Sequence, residues 1–118
     1  MRLVEVSFGA AQPVDAYGPG HWRTGGTVIR GPMLITATGA MSWGGYDDLA
    51  PVLALAGAVD VVLVGTGRTI AHPPAAFRAA LEGAALGLEA MDSAAAARTY
   101  NVLLAEGRRI AAALLPAG

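Results

Sequence analysis

The chain has 118 residues, 54 % of them hydrophobic and 14 % charged, with a net charge of −1 and no cysteine. One domain of that size buries a core without staples, and so apolar a composition excludes intrinsic disorder. Eight basic against nine acidic residues leave no broad cationic surface for nucleic acid, and the lack of cysteine excludes disulfides, thiolate metal sites and a cysteine nucleophile.

Leu3 to Phe8 alternates Leu3, Glu5 and Ser7 against Val4, Val6 and Phe8, the pattern of a strand with one buried face. Glu5 interrupts the apolar start, so no secretory signal core is read there. Gly9 to Gly20 reads as loop, ending in the turn residues Tyr17-Gly18-Pro19-Gly20. Trp22 to Arg30 reads as a strand weakened at Gly25-Gly26, where a bulge or a close backbone approach is expected. Gly31-Pro32 breaks it and Met33 to Ala37 resumes, which predicts a hairpin across that break.

Thr38 to Gly45 is a glycine-rich connection with room for a short strand around Ala40 to Trp43. Asp47 or Asp48 is expected to cap the following helix, with Pro51 in its first turn and Gly57 at its close. Val59 to Val64 is a nearly continuous apolar strand, so helices should cover both its faces. It ends on Gly65-Thr66-Gly67. His72-Pro73-Pro74 opens a second helix whose Phe77 and Leu81 repeat at helical spacing.

Leu86 to Met91 is the next strand, and Asp92 or Ser93 caps a last helix. That helix is expected to run from Ala94 to Leu115, with Tyr100, Leu103, Leu104, Gly107, Ile110 or Ala111, and Leu114 inward and Asn101, Arg108 and Arg109 toward solvent. Strand–loop–helix repeated twice predicts a parallel crossover unit whose strands end on one shared rim. No stretch offers the roughly 18 unbroken apolar residues of a membrane span; Ala50 to Val64 is divided by Gly57 and Asp60. The expectation is a soluble, cytoplasmic protein with a single α/β domain over residues 1–118.

Val61-Val62-Leu63-Val64-Gly65-Thr66-Gly67, Pro73-Pro74 and above all Arg98-Thr99-Tyr100-Asn101 followed by Glu106-Gly107-Arg108 make a specific set. On these residues the sequence from Asp60 to Leu115 resembles the domain-of-unknown-function 498 family, which includes relatives of mitochondrial NADH dehydrogenase complex I assembly factor 3. Tyr17-Gly18-Pro19-Gly20, Arg23 and Trp43 look like the family's N-terminal motif and tryptophan. Ala97 stands where relatives often carry cysteine, and Arg68 lies one place before their usual basic residue. The resemblance implies a three-layer domain with a central mixed, partly parallel sheet, an N-terminal β-hairpin region and helices on the sheet faces. It implies no enzyme activity and points to protein partners.

Two segments concentrate groups able to bind. Gly65-Thr66-Gly67 follows a strand and precedes a helix, where free amides can hold a small anion; the alternative is a tight turn that needs glycine. Arg98-Thr99-Tyr100-Asn101 offers a guanidinium fork for carboxylate or phosphate, or else a cap and a packed ring. Tyr17, Trp22 and Trp43 form either an exposed aromatic partner patch or part of the core. Asp92 reads as a cap before it reads as a general base. His21 and His72 lie apart and supply no metal set, and no nucleophile elbow is present. No catalytic residue, metal or cofactor is therefore assigned. The first expectation is a non-enzymatic accessory or assembly factor acting through a protein partner. The alternative is a small-ligand or anion-binding domain, catalytic or not, with its pocket at the C-terminal strand rim.

Overall fold

A computed structural model describes residues 11–118, so the strand expected over Leu3 to Phe8 lies outside the described residues. Three short strands, β1 (Ala16–Gly18), β2 (His21–Thr24) and β3 (Thr27–Arg30), form an antiparallel sheet in that order. Five more, β4 (Met33–Thr36), β5 (Gly39–Ser42), β6 (Val61–Gly65), β7 (Gly87–Met91) and β8 (Ile110–Leu114), form a mixed sheet in the order β5-β4-β8-β6-β7. The strand β6 runs parallel to both β7 and β8, while β4 is antiparallel to β5 and β8. The helices are α1 (Ala50–Leu53), α2 (Ala75–Gly83) and α3 (Ser93–Ala105).

Period-two alternation sorts the core into two clusters, one on each face of the five-stranded sheet. Met33, Ile35, Leu63, Ala112 and Leu114 turn toward α3 and the three-stranded sheet, where Trp22, Ile29, Ala96, Tyr100 and Leu104 meet them. Leu34, Val62, Val64, Ala111 and Ala113 turn the other way and pack on Val52 of α1 and Phe77 and Leu81 of α2. The result is the expected mixed α/β domain, with a central sheet covered on both faces.

Four local expectations are corrected. Gly25 and Gly26 both carry positive φ, 57° and 79°, and form the two-residue turn of a β2–β3 hairpin. Two consecutive positive φ values suit such a turn, which is why glycine stands at both places. Trp22 to Arg30 is thus two strands, and Gly31-Pro32 carries the chain from one sheet to the other rather than closing a hairpin. The loop expected over Gly9 to Gly20 contains β1. Asp48 does not cap α1: its carboxylate accepts from the Gly44 amide (2.9 Å), and α1 starts at Ala50 without a side-chain cap.

The largest departure is at the C-terminus. The last helix ends at Ala105, and Gly107, at φ 76°, turns the chain back. Ile110–Leu114 is then the central strand of the sheet, buried at every residue. Alanine favours helix, but between β4 and β6, with a helical layer on each side, three small residues let both layers approach closely. Gly107 itself is exposed and has no role in sheet contact.

Candidate functional site

The register places the tips of the three parallel strands side by side, with Gly65 opposite both Met91 and Leu114. The shared rim expected from the crossover unit therefore exists. Its loops bond chiefly to one another. The Thr66 amide donates to the Met91 carbonyl (2.9 Å), and the Leu115 amide to the Gly65 carbonyl (3.0 Å). The Gly67 amide donates to Ser93 Oγ (2.8 Å), and the Ser93 amide returns a bond to the Gly67 carbonyl (2.8 Å). Asp92 caps α3 as expected, its carboxylate accepting from the Ala95 amide (3.0 Å).

Thr66 fastens the loop that follows. Its hydroxyl lies 2.8 Å from the Thr69 carbonyl and 3.2 Å from the Met91 carbonyl, either of which it can donate to, and it accepts from the Ala71 amide (3.1 Å). The loop from Arg68 to Ala71 is thereby held against the end of β7, with Ile70 left 69 % exposed. Gly65 has no room for a side chain, because a Cβ there would lie 2.7 Å from Ser93 Oγ and 2.9 Å from Ser93 Cα.

Arg98-Thr99-Tyr100-Asn101 is not on that rim. It lies further along α3, facing the segment 12–14 and β1. The Asn101 side chain donates to the Val14 carbonyl and accepts from the Val14 amide, each at 2.8 Å. This corrects its expected solvent orientation. Tyr100 is fully buried and its hydroxyl donates to the Gln12 carbonyl (2.8 Å). Burial pushes the Tyr100 phenol well above its ordinary value near 10. Gln12 in turn donates to Thr24 Oγ1, which donates to the Pro13 carbonyl, both at 2.7 Å. Two of the four motif residues therefore pin segment 12–14 between α3 and β2. Arg98 is exposed and borders a hollow of about 170 Å³ with Asp15, Tyr17 and Asn101, while Thr99 is half-buried.

Truncation of the Asn101 amide shows whether this clamp matters to the fold. Asn101→Ala is expected to cost about 1–3 kcal/mol, since the buried Val14 peptide loses partners on both sides. Urea unfolding measures the loss, and hydrogen exchange should speed up at Val14.

The aromatic candidates separate. Trp43 is buried; its indole N–H donates to the Asp48 carbonyl (2.9 Å), and its ring packs on Tyr46 and Phe77. Trp22 is fully buried as well, so among the three only Tyr17 reaches solvent, with its ring 5.3 Å from that of Trp22. Trp43 and Tyr100 thus do not reach a partner surface, because the core claims their rings.

One hollow was not legible in the sequence. A cavity of about 420 Å³ opens at the opposite rim, bordered by Thr36, Val59, Leu104, Arg108, Arg109 and Ile110. It depends on the chain reversing after Ala105, which the helix pattern of the sequence conceals. Arg109 there donates to the Gly57 carbonyl (2.8 Å) and lies 3.5 Å from the Asp60 carboxylate, an exposed pair worth little. Among the described residues no group of three or more metal-ligating side chains converges, and no helix is long and apolar enough to cross a membrane.

A family model described as a protein of unknown function (DUF498/DUF598) matches residues 14–115. An uncharacterised protein of Rhodobacter capsulatus is 54 % identical over 112 residues, covering 95 % of this chain and 90 % of that protein. The NADH dehydrogenase [ubiquinone] 1 alpha subcomplex assembly factor 3 of Bos taurus is 30 % identical over 124 residues, covering 98 % of this chain and 67 % of that protein. Among solved structures, an outer membrane protein from Bartonella henselae superposes with a TM-score of 0.82 at 32 % identity, over 92 % of this chain and 98 % of that one.

Proposed function

The chain belongs to the DUF498/DUF598 family of proteins of unknown function, and from that premise we propose that it is a non-enzymatic accessory factor that holds a protein partner during assembly of respiratory complex I. The observation that carries this reading is the likeness, over nearly the whole chain, to a bovine protein named as a complex I assembly factor. Asn101, Tyr100 and Ser93 are engaged in bonds within the fold, which leaves Arg98 and Tyr17 as exposed side chains for a partner in this reading. In this reading the protein works in the cytoplasm and meets its client there.

Deletion of the gene in its native organism tests the proposal. The expected result is a lower level of assembled NADH dehydrogenase complex on native gels, restored by a plasmid copy, with complex I subunits co-purifying with the tagged chain. Normal assembly in the deletion strain, with no complex I subunit recovered, would overturn it.

A further inference from the structure

The strand β7 is an outer strand of the five-stranded sheet, and its hydrogen-bond phase can be read directly. The Gly87 amide donates to the Asp60 carbonyl and the Met91 carbonyl accepts from the Thr66 amide, both at 2.9 Å. Residues 87, 89 and 91 therefore face β6, since bonding alternates along a parallel pair. Leu88 and Ala90 turn their N–H and C=O groups away from the sheet, and among the described residues no strand pairs with them. Exposed edges are commonly blunted by proline, lysine or a bulge. Gly87-Leu88-Glu89-Ala90-Met91 has neither proline nor lysine, carries Glu89 as its one charge, and keeps unbroken register with β6.

Beside this edge runs a groove of about 460 Å³, bordered by Ile70, His72, Arg78, Leu88, Glu89 and Ala90. Among the described residues Ile70 is the most exposed large hydrophobic side chain. It is displayed on a loop that Thr66 ties to the end of β7 by side-chain bonds. Fixed exposure of an apolar side chain next to open backbone donors and acceptors is the surface needed for strand addition.

We infer that the outer edge of β7 takes up an extended segment of a partner protein as a sixth strand, its apolar side chains seated on Leu88 and Ile70 and a basic side chain opposite Glu89. The inference rests on the partner-holding reading above and names the surface that does the holding. Open backbone groups call for backbone as their complement. Leu88 faces the α2 layer, so by alternation Glu89 faces the other side. An incoming strand that reads apolar–basic–apolar therefore matches both sides at once. A second copy of this chain fits worse: the antiparallel register of β7 with itself that sets Leu88 against Ala90 brings Glu89 against Glu89, where like charges directly opposite are destabilising, and the register centred on Leu88 sets Glu89 against Gly87, which offers it no basic partner.

The test uses the full chain in its native cells, with the photoreactive residue p-benzoylphenylalanine replacing Ile70 or, as a control surface, Tyr17. Ala90→Pro removes one outward N–H and leaves the β6 ladder intact, the setting in which an edge strand tolerates proline. The expected result is an adduct from position 70 that maps to an apolar–basic–apolar segment of another protein. The adduct should fall about tenfold with Ala90→Pro, or with Glu89→Lys if the proline variant melts early. An adduct unchanged by both variants, or found only from position 17, overturns the edge and leaves the accessory role standing. An adduct to a second copy of the chain overturns the choice of partner. No adduct to any protein from either position, together with normal complex I in the deletion strain, removes the edge and the accessory role alike.

Discussion

Tyr100→Ala is expected to lower the stability of the folded chain by about 3–5 kcal/mol, the cost of emptying a large aromatic site in a core. That is a large share of the roughly 5–15 kcal/mol by which such domains are stable. The ring is fully buried in the core cluster that also holds Trp22, Met33 and Leu104, and its hydroxyl holds the Gln12 carbonyl. Tyr100→Phe separates the two contributions, because it keeps the packing and should cost only about 0.5–1.5 kcal/mol. Urea unfolding of the two variants decides the matter; a loss below 1 kcal/mol for the alanine variant would show that the site collapses without penalty.

The same residue sets an alkaline limit. Burial raises the Tyr100 phenol, and that of Tyr46 in the same direction. The folded chain therefore holds these protons more tightly than the unfolded chain does. Their contribution is complete below the unfolded value near 10 and is lost as pH rises toward the folded one. Tyr100→Phe should accordingly move the alkaline unfolding midpoint upward, even while it lowers stability at neutral pH.

The second large effect is at the rim. Gly65→Val is expected to cost about 3 kcal/mol or more, at the upper end of overpacking losses. A Cβ at Gly65 meets not only Ser93 Oγ and the end of Leu114, which can move, but Ser93 Cα at 2.9 Å, which belongs to the first turn of α3. The strand and the helix start would have to part, and the paired bonds between Gly67 and Ser93 would stretch with them. A cycle of Gly65→Ala with Ser93→Ala identifies the obstacle. If the hydroxyl is the main clash, the double variant loses less than the sum of the singles; strict additivity would assign the cost to backbone. Thermal unfolding provides the readout.

These two sites show what the residues disclosed and what they concealed. The apolar strand that ends on Gly65, the Asp92 cap, the helix from Ala75 and the parallel rim at Gly65 and Met91 are local or nearest-neighbour patterns, and the fold follows them. The dense polar group at Arg98 to Asn101 was legible as unusual, but its purpose was not. The acceptors for Tyr100 and Asn101 lie 88 and 87 residues away in the chain, so no spacing within the motif reveals them. Trp43 was likewise visible as a candidate, while its burial against Tyr46 and Phe77 depends on α1 and α2 folding over it.

By itself the sequence determined the class of the domain, its alternation of strand and helix from Val61 through Ala105, and its family. Only the tertiary structure decided that Ile110–Leu114 is a central strand, that Gly25-Gly26 divides one apparent strand into a hairpin, and that Leu88 and Ala90 face outward. The physical reason is the same in each case. Alanine and glycine carry little side-chain information of their own, so the conformation of those stretches is set by what packs on both sides of them and by which neighbour takes their backbone bonds.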